Sequence, residues 1–210
     1  MSKNISILTL AMLLCLLGGC KHNGAYTING AVSMPGFDGS MVYLTDVNTM
    51  EPIDSAVVAD SKFTFQGTVE QPTIGAIQAA SVSGDVRCTS YIVLEEGTIY
   101  IDIVTDSLSG TPLNDYYYSH YTADTAIIRL RALQNSIIDQ FYSNSDNQDL
   151  AASLMAEYGK VDSSLTARTN AVLTGIYQEN SDNVLGAYAL ANLADAGVIT
   201  FDSLDNIMAH

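Results

Sequence analysis

Lys62-Phe63-Thr64-Phe65-Gln66-Gly67-Thr68-Val69 decides the fold of this chain. Phe63, Phe65 and Val69 fall on one face, and Lys62, Thr64, Gln66 and Thr68 fall on the other. Alternation with period two is what a strand with one buried face requires. Asp60-Ser61 before it has turn chemistry, and Ile53 to Ala59 before that is a further apolar-rich strand. Working outward, Tyr26, Ile28 and Val32 alternate with Thr27, Asn29 and Ser33, and Pro35-Gly36 and Asp38-Gly39 supply turns. Met41 to Leu44, Thr73 to Ser81, Cys88 to Leu94 and Thr98 to Val104 complete about seven strands, with Glu95-Glu96-Gly97 as a hairpin-like link. Short strands at this density predict an antiparallel sandwich or partly open barrel over residues 25–108.

The period changes after Gly110. Ile127, Leu130, Leu133, Ile137 and Phe141 recur at helical spacing, with Arg131, Asn135 and Asp139 as a polar ridge. After the polar break Ser143 to Gln148, Leu150 to Ile176 predicts a second helix or a broken pair, weakened by Gly159 and Gly175. Val184 to Ala194 reads as a third helix, capped by Ser181 or Asp182 and stopped at Ala196-Gly197. Thr200 opens a last short helix carrying Leu204 and Ile207. The expected class is therefore α+β: a β-rich domain at 25–108, then a helical segment at 109–210.

The N-terminus reads as an export signal. Lys3 supplies the positive charge, and Ile5 to Leu17 is an apolar run too short to span a bilayer. Leu17-Gly18-Gly19-Cys20 then resembles a bacterial lipobox. Residues 1–19 are expected to be removed and Cys20 to carry the lipid, with 20–24 as a short tether; several acyl chains on one cysteine anchor firmly. Loss of Lys3 leaves 7 basic residues against 23 acidic ones, a net charge of −16. That charge argues against nucleic acid and against adhesion to anionic lipid. Lys21, His22 and Asn23 follow the anchor, and the first acidic residue is Asp38, so the domain is expected to face the periplasm.

The order of elements resembles the N-terminal domain of unknown function, of the DUF type, found in Bacteroidetes-style lipoproteins and often placed before a thioredoxin-like domain of the AhpC/TSA kind. The resemblance is carried by Tyr26-Thr27-Ile28-Asn29-Gly30, Gly39 to Leu44, Ile53 to Val58, Lys62 to Gly67 and Gly110-Thr111-Pro112-Leu113-Asn114-Asp115. Leu185-Gly186-Ala187-Tyr188 is similar to the segment that leads into the redox part. The cysteine pair of that part is absent from these 210 residues, and the resemblance implies no catalytic residue here.

No constellation demands a chemistry. His22, His120 and His210 stand at no metal-ligand spacing, so no metal site and no cofactor are expected. Asp46-Val47-Asn48 with Glu51 lacks the glycine turn and distal glutamate of a calcium loop. Cys88 is the one cysteine left after cleavage and lipidation, and its even spacing from Ile92 and Leu94 predicts a packed thiol; Arg87 beside it is the reason to consider reactivity. Tyr116, Tyr117, Tyr118 and Tyr121 are the candidate ligand-binding residues, with Tyr117 and Tyr121 on one helix face and the other two at its edges. The expected function is a non-catalytic binding or interaction module on a membrane-anchored lipoprotein, its partner a periplasmic protein or small ligand. The alternatives are a thiol–disulfide oxidoreductase lipoprotein without its thioredoxin-like domain, and a sugar- or peptide-binding lipoprotein.

Overall fold

The protein is described by a computed structural model covering residues 24–144 and 146–199. The leader, Cys20 and the expected helix after Thr200 lie outside the described residues. Among the described residues eight strands form two four-stranded sheets. They are β1 (Gly24–Ala31), β2 (Met41–Asp46), β3 (Pro52–Val57), β4 (Lys62–Val69), β5 (Thr73–Ala80), β6 (Arg87–Leu94), β7 (Gly97–Asp102) and β8 (Ser107–Ser109). One sheet has the order β4-β1-β7-β8, the other β3-β2-β5-β6. Among the described residues four helical elements follow: α1 (Pro112–Tyr117), α2 (Thr125–Ser143), α3 (Gln148–Glu179) and α4 (Val184–Asp195), with a π-helical turn, Tyr118–Thr122, between α1 and α2.

The alternating residues do what their period requires. Ile28, Leu44, Phe65, Ile77, Ile92 and Ile99 point between the sheets and are fully buried, each contributing about 1.5–3 kcal/mol relative to exposure. Asp60 and Ser61 both adopt positive φ, 51° and 58°, the geometry of a tight primed turn whose twist matches its flanking strands. The expected sandwich is therefore present, with two corrections. β1 pairs with β7 in parallel, Tyr26 opposite Gly97 through Ala31 opposite Asp102, although all the other pairings are antiparallel. Glu95-Glu96-Gly97 is not a hairpin, because β6 and β7 belong to different sheets; the link is a corner at which Gly97, with φ 127°, turns the chain from one layer to the other.

α3 is one unbroken helix of 32 residues, about 48 Å long at 1.5 Å per residue. It outruns the strands, whose eight residues span only about 27 Å. Its C-terminal part sends Leu173 and Ile176 into the main core with Leu185, Ala189 and Leu193 of α4. Among the described residues its N-terminal part packs on α2, through a separate cluster of Ile137, Leu154 and Val161. Asp124 ties the base of this hairpin together. Its carboxylate accepts from the Ala126 and Ile127 N–H groups at the start of α2 and pairs with Arg168 of α3. The Arg168 hydrogen bonds, seconded by those N–H donors, hold its pKa down at about 2, so the contribution is present above the usual aspartate range and is lost only as pH falls toward 2. The cap of α4 is Asn183, which accepts from Leu185 N–H at 2.9 Å, not Ser181 or Asp182. Leu133, expected on the packed face of α2, is exposed.

Gly159 lies in the projecting half of α3, where an added Cβ would meet nothing within 4 Å. Gly159→Ala is therefore expected to stabilise the chain by about 0.5–1 kcal/mol. Urea unfolding checks this, and a lower midpoint in the variant would contradict the solvent-facing placement of the residue.

Candidate functional site

The expected tyrosine cluster is held in place by Gly110-Thr111, the link between β8 and α1, and by the first residues of α1, Pro112-Leu113-Asn114-Asp115. Gly110 has φ 108°, and a Cβ there would lie 2.3 Å from the Thr98 carbonyl oxygen, so only glycine lets the chain leave β8 this close to β7. Pro112 opens α1, where its missing N–H costs nothing. Asn114 is fully buried and acts as a short piece of strand. Val93 N–H donates to Asn114 Oδ1 at 2.8 Å, and Asn114 Nδ2 donates to the Val93 carbonyl at 2.7 Å and to Thr111 Oγ1 at 2.7 Å. The free edge of β6 is thereby paired at Val93. Glu95 Oε1 accepts from Leu113 N–H at 2.8 Å and from Asn114 N–H at 3.3 Å, and its negative charge suits the helix N-terminus.

Fixed in this way, α1 and the π turn carry two ring stacks at spacing four. Tyr117 lies on Tyr121 with centroids 5.2 Å apart, and Tyr116 lies on His120 with centroids 4.0 Å apart, both pairs tilted by only 14°. The two stacks serve different sides. Tyr116 turns to α3, where its hydroxyl donates to Glu179 Oε2 at 2.7 Å, and Tyr118 packs against the main core. The four candidate tyrosines therefore do not form one platform. His120 Nδ1 lies 2.9 Å from the Tyr116 carbonyl and 3.0 Å from Ser119 Oγ, contacts within one turn of its own chain.

Tyr117 and Tyr121 instead join residues the sequence reading did not single out. Tyr188 of α4 meets the Tyr117 ring edge-on at 6.1 Å, and Tyr91 of β6 lies 6.3 Å from Tyr188. Together they wall a cleft of about 290 Å³ at the seam between β6, β8, the π turn and α4, with Asp106, Arg131 and Asn192 among its polar members. Asp106 sits at φ 55° and accepts from the Ser90 hydroxyl. The Arg131 guanidinium lies 5.8 Å from the Tyr121 ring centroid and reaches its hydroxyl at 3.4 Å. Burial pushes the Tyr117 hydroxyl well up and the Tyr188 hydroxyl up, so both stay protonated and serve as neutral donors and acceptors at physiological pH. Tyr91 and Tyr188 are silent in the sequence because they lie far from the cluster; an aromatic on the outward period of β6 was the one available sign.

The remaining candidates resolve into structural roles. Asp46 Oδ1 accepts from the Asn48 and Thr49 N–H groups at 2.8 and 3.0 Å, an Asx turn. Among the described residues no group of three or more His, Cys, Asp or Glu is placed to hold a metal ion. Cys88 lies on the inward period of β6 opposite Ala79 and is half-buried. Burial first, then Asp106 and Asp102, push its thiol up, opposite to the activation that Arg87 would supply.

Two expectations follow. Asn114→Ala leaves the buried Val93 N–H and C=O unpaired and is expected to cost about 2–4 kcal/mol in urea unfolding; a loss below 1 kcal/mol would show that water or a neighbour replaces the amide. Cys88 is expected to react with a thiol reagent more slowly at pH 7 than in the urea-unfolded chain, with the folded-state rate still rising above pH 9. A rate that levels off below pH 8 would mean an activated thiolate.

A search among curated proteins returned no match. A family model described as "Domain of unknown function (DUF4369)" matches residues 26–117, the segment that runs from β1 through all the sandwich strands to the last residue of α1.

Proposed function

We propose that this chain is a lipid-anchored envelope protein whose folded part is a non-catalytic binding module, and that its ligand enters the tyrosine-walled cleft. The observation that carries the reading is the cleft itself: two tyrosines from the segment after the sandwich, one from β6 and one from α4 converge there beside an acid, a guanidinium and an amide. Aromatic walls with a few placed polar groups are the usual make-up of a small-molecule site, and the volume of about 290 Å³ falls just short of the range of roughly 300–1,000 Å³ for such sites. The family match to a domain of unknown function is compatible with a module of this kind. No helix among the described residues is long and apolar enough to cross a membrane; attachment is assigned to a lipid on Cys20, which rests on the order of Lys3, the apolar run and Leu17-Gly18-Gly19-Cys20.

Growth with a radioactive fatty acid is expected to label the wild-type chain, and Cys20→Ser is expected to abolish the label and release or stall the protein. Equal label in the variant would contradict the anchor. Protease added to intact cells is expected to leave the protein whole if it faces the periplasm; its rapid digestion would place it on the surface.

A further inference from the structure

The outer faces of the two sheets differ in chemistry. The β4-β1-β7-β8 sheet presents Lys62, Thr64, Gln66, Thr68 and Asn29 to solvent, with Tyr100 beside Asn29, a mainly polar face of the kind expected where one side is wet. The outer face of the other sheet sets aromatic and apolar side chains among Thr45, Gln78, Arg87 and Thr89. α4 covers only its Ile74 and Val93 end, with Leu185 and Tyr188. Beyond α4, Tyr43 and Tyr91 remain 48% and 43% exposed, and Met41 and Val57 are exposed beside them.

This open face continues the cleft. A depression of about 350 Å³ is shared by Tyr91, Ala76, Gln78 and Tyr43. A second, of about 530 Å³, adjoins it across Tyr43 and Gln78 and reaches Thr89 and Arg87. Tyr91 also walls the 290 Å³ cleft, so one ring joins the cleft to the face. Register sets the span of the aromatic pair. Tyr43 aligns with Gln78 and Thr89, whereas Tyr91 aligns with Ala76 and Thr45. The two rings are therefore two strands and two residues apart, about 12 Å, with an amide and a hydroxyl between them.

We infer that this surface binds a neutral oligosaccharide, one ring in the cleft and the following rings lying across Tyr91 toward Tyr43; the inference rests on the cleft being the ligand site. A sugar ring offers an apolar face for stacking and a rim of hydroxyls that both donate and accept. Tyr91 supplies the stacking surface, because Tyr121 already has Tyr117 on its ring and Arg131 beside it. The Tyr117 and Tyr188 hydroxyls are kept neutral, Asp106 and Asn192 accept, and Arg131 donates. Asp106 and Arg131 balance in charge, and the chain as a whole carries −15, so an anion gains nothing from the approach. A peptide that binds by adding a strand to a sheet edge meets Asn114, which already pairs the adjacent edge at Val93.

The test uses the full chain in detergent and its own tyrosines. With 12 Tyr and no Trp, near-ultraviolet circular dichroism reports the cleft without a label. The chain is titrated to about 10 mM, near the weak limit of a specific site, with the methyl glycosides and the linear pentasaccharides of glucose, mannose and N-acetylglucosamine, and with alanine pentapeptide. The expected result is a saturable change with at least one pentasaccharide and a weaker one with its methyl glycoside. Tyr91→Ala is expected to weaken both about tenfold, and Tyr43→Ala only the pentasaccharide; Asp106→Asn, which tolerates the positive φ, is expected to weaken both. Far-ultraviolet spectra check that each variant is folded. Equal affinity for one ring and five would overturn the extended track, and saturation by the peptide alone would overturn the saccharide while leaving the cleft as a site. Silence of the folded wild type toward every titrant would overturn both.

Discussion

The two-way hydrogen bond between Asn114 and the backbone of Val93 is the constraint on which the rest of the site depends. A strand at the edge of a sheet carries donors and acceptors that must be met by something. At Val93 they are met by one buried amide, which resembles a peptide group closely enough to satisfy both at once. The amide belongs to a helix of six residues that is too short to be stable alone. Strand edge and helix are thus each incomplete without the other. Glu95, at the end of the same strand, meets the free N–H groups at the helix start and makes the attachment two-pointed. Gly110 and Gly97 permit the close backbone approach that this docking needs.

From that attachment the later architecture follows in order. α1 sets the phase of the π turn, the π turn sets the directions of Tyr117 and Tyr121, and Asp124 just beyond it starts α2 and binds α3 through Arg168. α3 then returns to the sandwich with its C-terminal part and delivers α4 onto one end of a sheet face. The result is an uneven distribution of stability. The sandwich and the α3–α4 end share one core, whereas the tip of the α2–α3 hairpin has only Ile137, Leu154 and Val161 with their partly buried neighbours. The tip is the natural place for local opening, because few apolar contacts hold it.

Much of this was legible in the sequence where a single face decides the matter. Phe63 and Phe65 announce β4, and Ile127 and Ile137 announce the packed side of α2. Ser107-Leu108-Ser109 was not legible, since one apolar residue in three makes no period. The parallel pairing of β1 with β7 was not legible either, because register across some 70 residues is chosen by the packed layers and not by either strand. Three adjacent residues, Ser181, Asp182 and Asn183, could each cap α4. The structure uses Asn183, whose side chain accepts from Leu185 N–H, and Gly186 lies so close to the Asn180 carbonyl that a Cβ there would come to 2.0 Å from its oxygen. The tyrosine cluster was visible as composition, but its division between α3 and the cleft depends on where α1 is docked, and Tyr91 and Tyr188 enter the cleft only through the tertiary fold.

The docking of α1 is tested most directly by hydrogen exchange at one backbone amide. Val93 N–H points away from β5, in the direction where an edge strand ordinarily meets water. With Asn114 in place, its exchange is expected to be as slow as that of the inner-strand amides of β5, and to become fast in Asn114→Ala together with a changed tyrosine circular dichroism. Exchange of Val93 in the wild-type chain as fast as that of an open edge amide would mean that the helix is not held there, and the cleft would have to be built in another way.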